Sequence, residues 1–152
     1  MPSYDPQKIR DYLREIGAGD PVTTRVFDLI SDYEALIGYN PEFIFVENTI
    51  NDEGLSNFSN LALFRGDTYA DYYINQPNSP FAITNVSRAI DSLTFSVRQD
   101  TDFRQIGERA VMSVEVVSLN TRSFHLHAAG RRNCNELLTL VKSYLLPTVT
   151  GE

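Results

Sequence analysis

Apolar positions near the start of the chain follow a helical period. Ile9, Leu13 and Ile16 recur at i, i+4 and i+7, and Gly17 interrupts the run. Asp5 is placed to cap this stretch, with Pro6 at the first helical position, where the missing N–H costs nothing. Asp20-Pro21 repeats that start, and Val22, Val26, Leu29, Tyr33 and Leu36 form a second stripe ending at Gly38. Two N-terminal helices are predicted.

From residue 43 the pattern changes to short apolar runs bounded by turn residues. Phe43-Ile44-Phe45-Val46 reads as a buried strand, closed by Asn51-Asp52-Glu53-Gly54. Leu61–Phe64 is a second strand, Arg65-Gly66-Asp67 a tight turn, and Tyr69–Ile74 a third strand. Gln76–Pro80 is a loop. The 82–90 segment carries two signals: Ser79-Pro80 followed by Ile83, Val86 and Ile90 has helical spacing, while β-branched Ile83, Thr84 and Val86 favour a strand. A short helix is the expectation, with the strand kept open. Leu93, Phe95 and Val97 alternate with polar residues, Ala110–Leu119 is the longest strand candidate, and Phe124, Leu126 and Ala128 alternate again after a turn at Asn120-Thr121. Asn133 and Glu136 have capping-box spacing. They precede a stripe of Leu137, Leu140, Val141, Tyr144 and Leu145, with Pro147 beyond, so an amphipathic C-terminal helix is predicted over 133–146.

These elements predict an α+β single domain over residues 1–152: a helical segment 1–39, a β-rich body 42–129 with a mostly antiparallel sheet of about six strands, and the final helix. The length of 152 residues suits one domain, large enough to bury about 70% of its unfolded surface without metals or disulfides. No apolar run is long enough to span a bilayer. The start of the chain has no basic stretch and no apolar core of a signal peptide, and Cys134 is the single cysteine, so a cytoplasmic location is the expectation.

Charge narrows the partners. The net charge is −7, with 13 acids and 5 bases in residues 1–76 against 7 acids and 8 bases in residues 77–152. A chain this acidic repels polyphosphates, so nucleic acid is not an expected partner. Another protein is, with self-association left open.

No catalytic, cofactor or metal signature stands out. His125 and His127 share one face of a strand, but catalytic zinc needs a third protein ligand, and a solvent-facing pair accounts for them. Cys134 lacks a flanking nucleophile signature. Asp67 and Asp71 sit four apart beside tyrosines, and near a turn two acids are ordinarily solvated. Tyr69, Tyr72 and Tyr73 fall within five residues and are candidate contact residues, because tyrosine combines large area with a polar tip. Arg122, His125, His127, Arg131 and Arg132 surround a strand-to-helix corner where a helix N-terminus favours negative charge. Pairing of the two adjacent arginines with carboxylates such as Glu136 is the simpler expectation there.

In element order alone, a strand at Phe124–Ala128 running into a final helix resembles the end of pleckstrin-homology-like rolls. The likeness improves if 82–90 is a strand. With a helix there, the order is similar to small acidic chaperones that hold secreted effectors partly unfolded. Neither resemblance carries site residues. The sequence points first to a non-enzymatic protein-interaction or regulatory domain. The alternatives are a small-ligand-binding domain or enzyme with a pocket between sheet and helices, and anion or anionic-lipid binding at the strand-to-helix corner.

Overall fold

A computed structural model describes residues 5–51, 53–66, 68–74, 82–85, 90–98, 104–118 and 124–145. The predicted loop 76–80, Asp67, Asn120-Thr121, Arg122 and Pro147 lie outside the described residues. The elements are α1 (Pro6–Glu15), α2 (Asp20–Ile37), β1 (Phe43–Ile50), β2 (Ser56–Arg65), β3 (Thr68–Tyr73), β4 (Ala82–Asn85), β5 (Ile90–Arg98), β6 (Val111–Ser118), β7 (Phe124–Ala129) and α3 (Arg131–Leu140), which continues as a π-helical turn over Val141–Leu145. The α+β class and the helices at both ends agree with the sequence reading.

Punctuation residues set the ends of the N-terminal helices, except at the start of α2. The Asp5 side chain accepts the Gln7 N–H at 2.9 Å, and Gly38 closes α2 in the left-handed region at φ 87°. The start of α2 differs by one residue: Gly19 is its N-cap and Asp20 its first helical residue. There the aspartate still sits where the helix dipole favours it.

The single sheet of about six strands is corrected to two antiparallel sheets, in the orders β1-β2-β3-β4 and β5-β6-β7. Among the described residues no backbone ladder joins the two into a closed barrel. The expected helix over 82–90 is also corrected. Residues 82–85 form β4, paired antiparallel to β3 from Thr68↔Asn85 to Asp71↔Ala82, and β5 starts at Ile90. An available strand edge and β-branched residues outweigh helical spacing in so short a segment.

Strand alternation then divides the core in two. Leu61, Ala62, Leu63 and Phe64 of β2 are all fully buried, because both faces of their sheet are covered. Leu61, Leu63, Val46, Ala70 and Tyr72 meet Leu13, Val26, Leu29, Ile30 and Tyr33 of the two N-terminal helices. On the opposite face, Phe45, Ala62, Phe64 and Tyr69 meet Met112, Val114, Val116, Leu126 and Ala128 of the second sheet. Leu137, Leu140, Val141 and Leu145 close that core from its end. Tyr144 packs on Phe64 with ring centroids 5.1 Å apart, and its hydroxyl donates to the Gly66 carbonyl. The first sheet is therefore the middle layer.

The C-terminal helix starts earlier than predicted. Arg131 opens it and Gly130 is the N-cap, at φ 90° and ψ 157°, a conformation essentially restricted to glycine. Asn133 is thus an interior residue of the first turn rather than the cap, and its side chain serves a different purpose.

Candidate ligand cleft at the strand-to-helix corner

Four elements converge where β7 turns into α3. The residue before the helix, Gly130, donates its N–H to the Ala110 carbonyl at 2.8 Å, which pins the corner to the segment entering β6. Arg131 reinforces it by donating Nε–H to the Ile106 carbonyl at 3.0 Å. The end of α1 and the β1–β2 hairpin approach from the other side. Between them lies a cleft of about 540 Å³ whose walls include Ile16, Asn48, Ile50, Ala129, Arg131 and Asn133.

A buried polar chain underlies the cleft. Tyr12, on the α1 stripe, receives the Val46 N–H at 3.1 Å and donates its own O–H to Asn133 Oδ1 at 2.7 Å. One hydroxyl thereby joins the first helix, the edge strand β1 and the last helix. Burial holds this phenol well above the ordinary tyrosine range, so it stays protonated and keeps the donor. Asn48 sends Nδ2 to Ser56 Oγ at 3.2 Å and toward the Ala129 carbonyl at 3.5 Å. Two amide atoms are left over: Asn133 Nδ2 and Asn48 Oδ1, both buried, have no partner among the described residues.

Tyr12→Phe is expected to destabilise the protein by about 1–3 kcal/mol, because the Val46 N–H and Asn133 Oδ1 lose a buried partner while packing is unchanged. Urea unfolding of the two proteins measures it. Stabilities within about 0.5 kcal/mol would mean that the bridge does not operate.

Glu47 forms a second polar link between the sheets. Its Oε1 accepts the His127 N–H at 3.0 Å, occupying the edge of β7 that β6 leaves unpaired. Buried at 5% exposure, the carboxyl is pushed up to about 8 by desolvation, against the hydrogen bond from His127 and with the charge of Asp71 adding to the rise. Asp71 accepts from Asn60 Nδ2 at 3.1 Å, and burial raises it too. The carboxyl with the larger burden is therefore Glu47, which the sequence reading did not single out.

The expected contact residues scatter. Tyr69 is buried between the sheets, stacked on Phe124 at 4.7 Å, whereas Tyr72 is buried on the opposite face against the helices. Tyr73 alone of the three is exposed, at 47%. His125 and His127 lie parallel on the outer face of β7, their centroids 6.1 Å apart, and His125 Nε2 is 3.0 Å from Glu115. Burial and the neighbouring His125 lower the His127 pKa. Neither histidine lines the cleft, so the corner is built without them. Arg131 and Arg132 do line it. Arg132 pairs with Glu15 and Glu136 and lies over the Tyr12 ring, and Arg131 approaches Glu108 at 4.0 Å. The carboxylate pairing expected of these arginines is what the structure shows.

The Cys134 thiol donates to the Ala110 carbonyl from within the inter-sheet core, and burial pushes it up to about 11. Among the described residues no three histidine, cysteine or acidic side chains group as metal ligands, and no helix is long and apolar enough to cross a membrane. No family model, curated protein or solved structure matches this chain.

Proposed function

We propose that the chain is a non-enzymatic binding domain, a protein-interaction or regulatory module built as a pleckstrin-homology-like roll, and that its partner docks at the cleft between β7 and α3. The roll is supported by connectivity: four consecutive strands in one antiparallel sheet, three in the next, then a helix on the core between them.

What supports binding over catalysis is the set of hydrogen bonds in the interior. Tyr12, Glu47 and Cys134 are buried, and none of them lines the cleft. Their hydrogen bonds go to Val46, Asn133, His127 and Ala110, which are structural partners. The neighbouring surface suits a partner protein. Leu55, 59% exposed, and Ile50, 44% exposed, stand at the turn end of the β1–β2 hairpin, which walls the cleft through Asn48, Ile50 and Ser56. Apolar side chains in such a position supply contact area that water otherwise covers.

A photo-crosslinking residue placed at Asn135, exposed beside the cleft, and separately at Thr94, exposed on β5, tests this in the native host. Discrete adducts from position 135 and none from position 94 are the expected result. Equal labelling from both positions, or none from either, would remove the corner as a docking site.

A further inference from the structure

Resting on that reading, we infer that the cleft recognises the carboxylate end of a peptide chain, holding the carboxylate at the α3 N-terminus and the last peptide N–H on Asn48. The helix supplies the first part. Gly130 gives α3 no side-chain cap, and the first turn, Arg131 to Asn133, lines the cleft. Leading N–H groups and the helix dipole favour an anion there.

The two leftover amide atoms make the site more specific than a helix end. Which end of each amide is left without a partner is decided by its other contacts. The Tyr12 oxygen accepts the Val46 N–H and stands 2.7 Å from the Asn133 amide against 3.5 Å from the Val46 carbonyl, so its proton goes to Asn133 and the atom receiving it is Oδ1. That leaves Nδ2, a donor on a residue only 1% exposed. The Ala129 carbonyl can only accept, so the Asn48 atom directed at it is Nδ2. That leaves Oδ1, an acceptor on a residue 3% exposed. A ligand satisfying both must offer an acceptor and a donor, with negative charge toward the helix N-terminus.

A peptide C-terminus has that arrangement: a carboxylate, and an N–H two bonds from the carboxyl carbon. Backbone capture of a terminal carboxylate is an established mode of peptide recognition. Ile16, Ile50 and Ala129 form an apolar wall for the terminal side chain, and Arg131 places a guanidinium at the rim. The volume of about 540 Å³ falls within the usual range for small-ligand clefts, about 300–1,000 Å³. Phosphate fits less well. It brings up to two charges beside Glu15 and Glu108 in a chain of net charge −7, and it carries no N–H for Asn48.

Fluorescence polarisation with three probes tests the assignment: fluorescein-tagged Gly-Ala-Leu with a free carboxylate, the same peptide as its C-terminal amide, and inorganic phosphate as competitor at fixed ionic strength. The free acid is expected to bind saturably and the amide about tenfold more weakly or worse, the size of a lost charged hydrogen bond. Phosphate is expected to compete only poorly. Asn133→Asp keeps the acceptor for Tyr12 and replaces the donor with a repelling charge, so binding should vanish. Because that side chain is buried, Arg131→Glu repeats the charge reversal at the exposed rim and should weaken the free acid, and its thermal midpoint reads separately the loss of the Nε–H bond to the Ile106 carbonyl. Equal binding of acid and amide, phosphate binding as tight as the peptide, or no binding of either peptide would overturn the inference. If position 135 still crosslinks a partner, the peptide class has failed and the docking corner stands. If the crosslink is absent as well, the corner itself has failed.

Discussion

Leu140→Ala and Val141→Ala are each expected to cost about 2–4 kcal/mol of stability, the upper part of the range applying to the leucine. Both side chains are essentially buried, in the core shared by the two sheets and α3. Truncation removes apolar area and leaves a void that the strands cannot close, since their ladders fix the spacing of the facing residues. Val141 stands where α3 passes into its π-helical turn, and Tyr144 of that turn reaches the Gly66 carbonyl of the β2–β3 turn. The last helix is thus a lid on the inter-sheet core, tied at its far end to the first sheet. Thermal melting of both variants beside the parent gives the answer. Midpoints within about a degree or two of the parent would mean that the helix is undocked, and the described packing would be wrong.

This helix also shows how far the fold was legible in the sequence. Its apolar stripe is a direct consequence of a helical period facing one core, so Leu137, Leu140, Val141 and Leu145 were readable without coordinates. Its start was not. Asn133 and Glu136 have the spacing of a capping box, but Gly130 takes a backbone conformation that ends β7 and launches the helix directly. Chain direction there is set by the Ala110 carbonyl, a partner 20 residues away in sequence. The 82–90 segment failed for a similar reason. Its local spacing is helical, and what makes residues 82–85 a strand is the free edge of β3, which no window of 10 residues contains. Division into two sheets was likewise invisible, since alternation marks faces and says nothing of which strands pair.

The candidate site was half legible. The two arginines and the helix N-terminus are readable in the sequence, because each acts through its own chemistry at its own position. The histidines were assigned to the same corner by adjacency along β7, but alternation turns their rings to the outer face. Tyr12, Asn48 and Asn133 were missed. A tyrosine inside the α1 stripe reads as core, and it is core. Its hydroxyl becomes informative only when β1 and α3 are brought to it. One signal was available: the strand pattern continues past Val46 through Glu47 and Asn48 to Ile50, and two consecutive polar residues inside a buried strand require partners.

Glu47 supplies the larger pH effect, and its sign is fixed by burial. The ordinary glutamate value is 4.5, and in the folded protein the group titrates near 8. Between those values the folded chain holds a proton that the unfolded chain has released, so stability falls as pH rises. This contribution is fully present below about pH 4.5 and lost by about pH 8, a span worth roughly 4 kcal/mol. Burial also raises Asp71 and lowers His127, so the parent's curve alone mixes their effects with this one. Glu47→Gln isolates it. Glutamine keeps a carbonyl oxygen for the His127 N–H and cannot ionise, while Asp71 and His127 remain in both proteins. Urea unfolding at pH 5, 6.5 and 8.5 is expected to show the parent losing stability more steeply than the variant. At the highest pH the variant should be the more stable protein. Parallel curves would mean that the carboxylate reaches water, and the Glu47 link between β1 and β7 would not be the dry contact described above.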